Sequence, residues 1–144
     1  MSDAVLRTAT PADVAAIMRI ENAVFVGDAW SERTMTAEVA SAHAHYLVAA
    51  DASGQVVAYA GLFAARGNPQ ADIQTIAVLP EARRRGLGRA LMMALLTEAD
   101  RRGATEVFLD VRADNESAQT LYASLGFVVT GEEDGEITME RPLR

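Results

Sequence analysis

Apolar and polar positions recur along the chain at periods that predict elements in the order β-α-α-β-β-β-α-β-α-β-β. Thr10 and Ser31 are predicted to cap the first two helices, and a third runs from Gly86 to Arg102. Asn115 begins a fourth helix, which ends at residues 125–126. The predicted strands cover residues 5–9, 46–50, 55–63, 72–79, 106–112, 127–130 and 137–141, with a turn at 132–135.

Neither a repeat nor a low-complexity linker interrupts this order. The sequence therefore predicts one α/β domain over residues 1–144, with a mixed central sheet of about seven strands and four helices. A hydrophobic fraction of 50% with 23% charged residues is ordinary for a globular domain. A chain of 144 residues is long enough to bury a core without disulfides.

The segment between the strand that ends at Leu79 and the third helix carries the most informative chemistry. Pro80 stops the strand, and Gly86 and Gly88 then let the backbone approach a ligand closely. The first N–H groups of a helix have no intrahelical partner, and the helix dipole there favours anions. The segment also concentrates four of the 13 basic residues: Arg83, Arg84, Arg85 and Arg89. This pattern predicts a pyrophosphate-binding loop, with a structural glycine turn as the alternative.

Two common phosphate-binding motifs do not fit this segment. A Walker loop requires a lysine, and every basic residue of this chain is an arginine. A dinucleotide-binding fingerprint requires a third glycine, where this chain has Leu91, and a strand immediately before the first glycine, where Pro80 breaks the chain. Both are therefore excluded.

Cysteine usage and charge limit the remaining possibilities. The chain has no cysteine, which excludes disulfides, thiolate metal sites and a cysteine acyl-enzyme. Its imidazoles are His43 and His45, whose spacing does not suggest a metal site, so we expect no metal. The net charge of −7 argues against nucleic acid as a partner, while the local arginines favour a small polyanion and the acidic remainder tolerates a cationic amine. Residues 1–4 lack a secretory pattern and no long apolar stretch follows, so we expect a cytoplasmic protein without membrane contact.

Five stretches of the sequence together resemble the GCN5-related N-acetyltransferase (GNAT) superfamily across essentially the whole chain. The branch that the chain resembles most is the bacterial ribosomal-protein-alanine N-acetyltransferases. The stretches are Phe25 with Ala29–Glu32, Ile76–Val78, the (Q/R)-x-x-G-x-(G/A)-like loop from Arg83 to Leu91, Val111–Asn115, and Leu121–Phe127.

The resemblance implies acetyl-CoA as the cosubstrate and assigns residues to it. The strand residues Ile76, Ala77 and Val78 would pair with the pantetheine arm, and a backbone N–H near Val78 would polarise the thioester carbonyl. Asn115 would contact the cofactor, or cap its helix, or do both. The pyrophosphate would rest on the N–H groups of Arg84, Arg85, Gly86, Leu87, Gly88 and Arg89.

The resemblance also implies direct attack by an amine in a ternary complex. Asp110 occupies the position at which the branch has a glutamate base, and because Asp is one methylene shorter, a bridging water is expected. Asp72 is a second candidate base, and both acids could instead be solvated strand ends. Tyr122 shares a helical face with Ala118 and Leu125, which directs its ring at the sheet. Its hydroxyl would donate a proton or a hydrogen bond to the CoA thiolate, or else Tyr122 is a core residue.

The acceptor is the least determined part of the prediction. Phe25 and Trp30 belong to a loop that flanks the amine site in the branch, although Trp30 also suits the core. The final hairpin, residues 128–138, is short and acidic and lacks the extension associated with peptide recognition in the branch. We expect a protein N-terminal α-amine as acceptor, with the N-terminus of a small-subunit ribosomal protein as the candidate. A small-molecule amine N-acetyltransferase and a non-catalytic acyl-CoA-binding module are the alternatives, and the oligomeric state is left open.

Overall fold

A computed structural model describes residues 4–143 of the chain. The prediction that the start of the chain has no leader concerns residues 1–4, of which residues 1–3 lie outside the described residues. The strands are β1 (Val5–Thr8), β2 (Ala44–Ala50), β3 (Val56–Phe63), β4 (Gln70–Val78), β5 (Glu106–Arg112), β6 (Val128–Glu133) and β7 (Glu136–Pro142). The helices are α1 (Val14–Val24), α2 (Glu32–Ala40), α3 (Leu87–Arg101) and α4 (Glu116–Ser124), and short 3-10 turns cover Pro11–Asp13 and Pro80–Ala82.

All the strands join one sheet in the order β1-β2-β3-β4-β5-β7-β6. The β4–β5 pair is parallel, whereas the other neighbouring pairs are antiparallel. This mixed seven-stranded sheet with four helices confirms the predicted fold class and element order. No helix within residues 4–143 is long and apolar enough to cross a bilayer.

Several predicted boundaries shift by a few residues, and one shift changes where charge lies. The turn predicted over residues 132–135 is reduced to Asp134 and Gly135, so Glu132 and Glu133 belong to β6. Asp134 and Gly135 have φ values of 52° and 80°, as the two central residues of a tight hairpin turn require. Glu132 and Glu133 are therefore held on β6 beside β7, and the prediction of a longer turn was wrong.

The core lies on both faces of the middle of the sheet. Every residue of β3 from Val56 to Leu62 is buried, and because successive strand side chains point to opposite faces, both faces are covered there. Helices α1 and α3 both pack on β3 and β4. The buried face of α3 contains the predicted stripe of Leu87, Leu91, Leu95 and Ala99, together with Met92 and Leu96.

A β-bulge distorts β4 close to where it leaves its parallel neighbour. Gly61 of β3 is paired with Thr75 and the next residue, Leu62, with Ile73, so that Gln74 is the extra residue of β4. The Gln74 side chain accepts a hydrogen bond from the hydroxyl of Tyr46 at 3.1 Å. The ring of Tyr46 lies over Gly61, where an added Cβ would overlap it. Because Gly61 has no side chain, the Tyr46 ring can lie over β3 and reach the bulge in β4.

We expect Gly61→Ala to destabilise the protein by about 1–3 kcal/mol, because the Tyr46 ring has to move away from the added methyl group. Gly131→Ala is the matched control, since Gly131 is also a strand glycine but has open space around its Cβ position. The control should be neutral or stabilising by about 0.5 kcal/mol. Urea unfolding of the three proteins measures both changes, and equal stability of the two variants would contradict this account of Gly61.

Candidate functional site

A cleft opens where β4 and β5 separate. Their parallel pairing covers only Gln70–Asp72 opposite Glu106–Phe108. Beyond this point β4 still pairs with β3 as far as Val78, and β5 still pairs with β7. Among the described residues, the β5-facing edge of β4 from Ile73 to Val78 therefore has no strand partner. Such an edge presents backbone N–H and C=O groups to an extended ligand.

Three overlapping cavities occupy the cleft. The loop cavity, about 790 Å³, lies between residues 76–78 of β4, residues 82–84 and 86–88, and the start of α4. The acidic cavity, about 690 Å³, lies between the paired ends of β4 and β5 and includes Trp30, Asp72 and Asp110. The middle cavity, about 540 Å³, shares residues with both. The cleft thus runs continuously from the arginine-rich loop to a group of carboxylates.

The loop before α3 has a backbone that concentrates N–H groups. Gly86 is the N-cap of α3 in the left-handed conformation, with φ 77° and ψ 11°, and Leu87 begins the helix. A left-handed residue followed by a right-handed helical residue turns successive N–H groups towards one point, which favours an anion. Arg84 is also left-handed, with φ 66°, a strained conformation for a residue with a side chain.

The arginines of the loop differ in where their side chains lie. Arg83 and Arg84 line the loop cavity, and the Arg83 guanidinium donates to the carbonyl oxygen of Val78 at 3.0 Å. Arg89 instead donates to the hydroxyl of Ser124 on α4 at 2.7 Å. The side chains of Arg85 and Arg89 are not part of the loop-cavity wall. Of the predicted cofactor residues, the structure brings together Ile76, Ala77, Val78, Arg84, Gly86, Leu87, Gly88 and Asn115.

Helix α4 closes the loop and middle cavities from the other side. Asn115 is its N-cap, and its side-chain oxygen accepts from the N–H of Ala118 at 3.2 Å. Asn115 also lines both cavities, so capping does not remove it from the cleft. Leu121 of the same helix lies 3.3 Å from where a Cβ would sit on Gly88. Gly88 therefore allows α4 to approach the start of α3.

Tyr122 lies on the buried face of α4, as its helical spacing predicts. Its side chain lines both the loop and the middle cavity, and the residue is only 6% exposed. Burial raises the pKa of the Tyr122 phenol to about 12. Within residues 4–143 its hydroxyl has no hydrogen-bond partner, so it is free to donate to a ligand in the cleft. The structure therefore holds a protonated donor at the middle of the cleft.

Carboxylates surround the opposite end of the cleft. Oδ1 of Asp110 accepts a hydrogen bond from the hydroxyl of Thr138 at 2.8 Å, and Oδ2 has no hydrogen-bond partner in the described part of the chain. Partial burial raises the pKa of Asp72, and the negative charge of Asp110 raises it further. Glu132, Glu133 and Glu136 line an adjoining cavity of about 460 Å³ that also reaches Asp110. The acidic hairpin thus extends the acidic cavity.

A buried hydrogen-bond network beside the middle cavity was not predicted. Glu21, 2% exposed, accepts the N–H of Trp30 at 2.9 Å and the hydroxyl proton of Tyr59. The Tyr59 oxygen also lies 3.1 Å from the hydroxyl oxygen of Thr75. The sequence contained one indication of this network, since Glu21 continues the apolar spacing of Val14, Ile17 and Met18 along α1. An acidic residue on a buried helix face requires partners, but only the fold shows which ones.

Comparison with known proteins identifies the protein family. The family model of the Acetyltransferase (GNAT) family matches residues 14–127. The chain belongs to this family, which confirms the resemblance read from its motifs, and it is an acetyl-CoA-dependent N-acetyltransferase. The non-catalytic alternative is thereby set aside.

Two individual relatives within this family are similar in sequence to the chain. The chain is 40% identical over 125 residues to the N-alpha-acetyltransferase RimI of Mycobacterium tuberculosis, a match that covers 85% of this chain and 77% of that protein. It is 36% identical over 98 residues to the ribosomal protein bS18-alanine N-acetyltransferase of Escherichia coli, covering 68% of this chain and 64% of that protein. The match therefore spans just under two thirds of the second relative.

Solved structures extend the similarity to the whole described fold. The crystal structure of the ribosomal-protein-S18-alanine N-acetyltransferase from Escherichia coli has a TM-score of 0.85 and 29% identity, and the alignment covers 97% of this chain and 94% of that chain. A phosphinothricin acetyltransferase from Sinorhizobium meliloti, solved with acetyl-CoA, has a TM-score of 0.80 and 27% identity, covering 97% of this chain and 88% of that chain.

Proposed function

We propose that this enzyme acetylates the N-terminal α-amine of a protein, and that its acceptor is a small-subunit ribosomal protein. The observation that carries the proposal is a cleft with arginines at one end, carboxylates at the other and, between them, the Tyr122 hydroxyl, which has no partner within residues 4–143. A polyanionic donor and a cationic amine would enter such a cleft from opposite ends. The names of the Mycobacterium tuberculosis and Escherichia coli relatives support this choice of acceptor.

In this proposal the chain binds acetyl-CoA along the open edge of β4 and over the loop before α3. Ile76, Ala77 and Val78 supply backbone hydrogen bonds to the pantetheine arm, as an added strand would. The N–H groups from Arg84 to Arg89 hold the pyrophosphate, and Arg84 adds charge from inside the cavity. Because Arg89 is bound to Ser124, its contribution is mainly its backbone N–H, while the Arg85 charge acts from outside the cavity wall. Asn115 caps α4 and faces the same space.

The proposed reaction needs no covalent enzyme intermediate. The amine nitrogen attacks the thioester carbonyl carbon, the C–N bond forms, and the C–S bond breaks to release the CoA thiolate. A backbone N–H near Val78 stabilises the negative charge on the carbonyl oxygen. Tyr122 donates a hydrogen bond or its proton to the departing thiolate; because burial raises its pKa to about 12, the phenol is protonated near pH 7 and is available to donate.

Asp110 takes the proton from the attacking nitrogen in this proposal. The Thr138 hydroxyl fixes one carboxylate oxygen and leaves the other for a water that reaches the amine. An α-amine has a pKa of about 8, so part of the acceptor is already neutral near pH 7. The base therefore contributes only modestly to the rate. Asp72 remains the second candidate, because its raised pKa makes it a better proton acceptor once it is ionised.

The alternative acceptor is a small amine. It is favoured by the final hairpin, in which β6 and β7 are joined by a two-residue turn and carry no extension that could hold a peptide. The phosphinothricin acetyltransferase among the similar structures is named for a small-molecule acceptor.

An acceptor panel with acetyl-CoA tests the choice between these substrates. We expect CoA release with peptides that begin with alanine, at a kcat/KM at least about tenfold above that for polyamines, aminoglycosides or phosphinothricin. The N-acetylated peptide, identified by mass spectrometry, should carry the acetyl group on its α-amine. Blocked peptides with a free lysine serve as the control for side-chain acetylation. Turnover only with small amines would establish the alternative and refute the ribosomal assignment.

Gly86→Asp should abolish acetyl-CoA binding, because the new carboxylate faces phosphate at the converging N–H groups. Gly67→Asp is the matched control: Gly67 has φ 83° against 77° for Gly86, and a Cβ at either position meets nothing within 4 Å. The control therefore carries the same strain and charge away from the cleft and should bind normally. Arg84→Ala should weaken binding in part and reduce its salt dependence. Calorimetry that finds wild-type affinity in Gly86→Asp would refute the proposed pyrophosphate site.

Tyr122→Phe should lower kcat by about one to three powers of ten with little change in acetyl-CoA affinity, since only the hydroxyl is lost. Asp110→Asn should be milder, and its effect should shrink at high pH, where the neutral amine dominates. Asp110→Glu should preserve or raise activity. Steady-state kinetics across pH measure all three, and a fully active Tyr122→Phe beside an inactive Asp110→Glu would show that the catalytic residues are misassigned.

A further inference from the structure

The buried carboxylate of Glu21 has no role in the reaction proposed above, yet burying a carboxylate lowers the stability of the folded protein unless its lost water is replaced. Glu21 is 2% exposed, and within residues 4–143 neither an arginine nor a histidine forms an ion pair with it. Its partners are neutral donors, the N–H of Trp30 and the hydroxyl of Tyr59. Burying a carboxylate without a cation is unfavourable unless hydrogen bonds compensate for lost water. These two hydrogen bonds are therefore the main compensation that the structure shows.

The two bonds of Glu21 connect separate walls of the cleft. Oε2 holds the backbone of Trp30, at the end of the irregular segment between α1 and α2. Oε1 holds the Tyr59 hydroxyl on β3, which in turn contacts the Thr75 hydroxyl on β4. Glu21, Thr75 and Trp30 all line the middle cavity. One carboxylate thus fixes the distance between the Trp30 wall and the open strand.

The location of this connection points to the acceptor and not to the cofactor. Trp30 lines the middle and the acidic cavities but not the loop cavity. Thr75 directly follows the bulge residue Gln74, where β4 has already left β5. An exposed ion pair between Asp28 and Arg112 at 3.8 Å also ties this segment to β5, but such a pair is worth little in water. The position of Trp30 therefore depends on Glu21 and on the packing of its ring.

We propose that Glu21 is a positioning residue that sets the width of the acceptor channel, by holding Trp30 on one wall and, through Tyr59, Thr75 on the other. The inference rests on the proposed function in placing the acceptor amine between Trp30 and Asp110. Its structural part, the dependence of Trp30 on Glu21, does not require any particular acceptor.

Trp30 is the only tryptophan of the chain, so selectively excited tryptophan fluorescence reports on this wall alone. Glu21→Met removes both bonds and keeps similar length, and it should shift the Trp30 emission to longer wavelength and increase quenching by acrylamide. Glu21→Gln keeps an oxygen for the Trp30 N–H and should restore the wild-type emission. Tyr59→Phe leaves the bond to Trp30 intact, so its emission should also be unchanged.

The kinetic readout separates positioning from general stability. With an alanine-initiated peptide as acceptor, Glu21→Met should raise KM for the peptide about tenfold and leave the acetyl-CoA Kd within about twofold. Tyr59→Phe should raise the peptide KM by less, and Glu21→Gln should recover most of the loss. Arg102→Met is the matched control, since Arg102 is another buried ionisable residue, 9% exposed, whose partners His43, Ala64 and Glu98 lie outside the cleft cavities. It should lower Tm without changing the emission or either constant.

Three outcomes would overturn the inference. They are an unchanged Trp30 emission in Glu21→Met, an equal loss of acetyl-CoA and peptide affinity, and the same changes in Arg102→Met. If Glu21→Met does not fold, Glu21→Gln and Tyr59→Phe still decide: a shifted emission in Tyr59→Phe or an unrestored one in Glu21→Gln contradicts the proposed connections. If the peptide is not an acceptor, the proposed function fails while the emission of the same variants still tests the dependence of Trp30 on Glu21.

Discussion

The separation of β4 from β5 is the constraint on which the rest of the site depends. The two strands share only three paired residues each before they part, yet each remains paired on its other side. Both strands are thus held rigidly while the space between them stays open. A sheet normally avoids an exposed edge because it can pair with another chain. In this family member the internal edge is available to a substrate instead, and the bulge at Gln74 turns β4 away where the cleft begins.

The cleft also separates opposite charges along its length. The left-handed residues Arg84 and Gly86 and the start of α3 form one end, and Asp72, Asp110 and the acidic hairpin form the other. A net charge of −7 would by itself repel a polyanion, so local backbone geometry must outweigh the overall field. Backbone N–H groups can do this because they act at contact distance, whereas exposed distant carboxylates are screened by salt.

Polar groups are buried in this structure where they join elements. Glu21 joins the Trp30 segment to β3 and β4, and Arg102 joins the end of α3 to the backbone of His43 and Ala64. Tyr122 differs, because its side chain lines the cleft and its hydroxyl has no hydrogen-bond partner among the described residues. A hydroxyl donor left without a partner in the cleft can donate to a ligand that accepts from it.

The sequence by itself determined the element order and the family, because these depend on local periods and spacings. The helical face of Tyr122 and the left-handed position of Gly86 follow from side-chain spacing and from the conformational freedom of glycine. The tertiary structure alone decided which arginines face the cleft, since Arg89 is drawn to Ser124 on a helix 35 residues away. It also placed Glu132 and Glu133 on a strand and joined Glu21 to Trp30, Tyr59 and Thr75. Such partners are distant in sequence, and only packing brings their donors and acceptors within reach of one another.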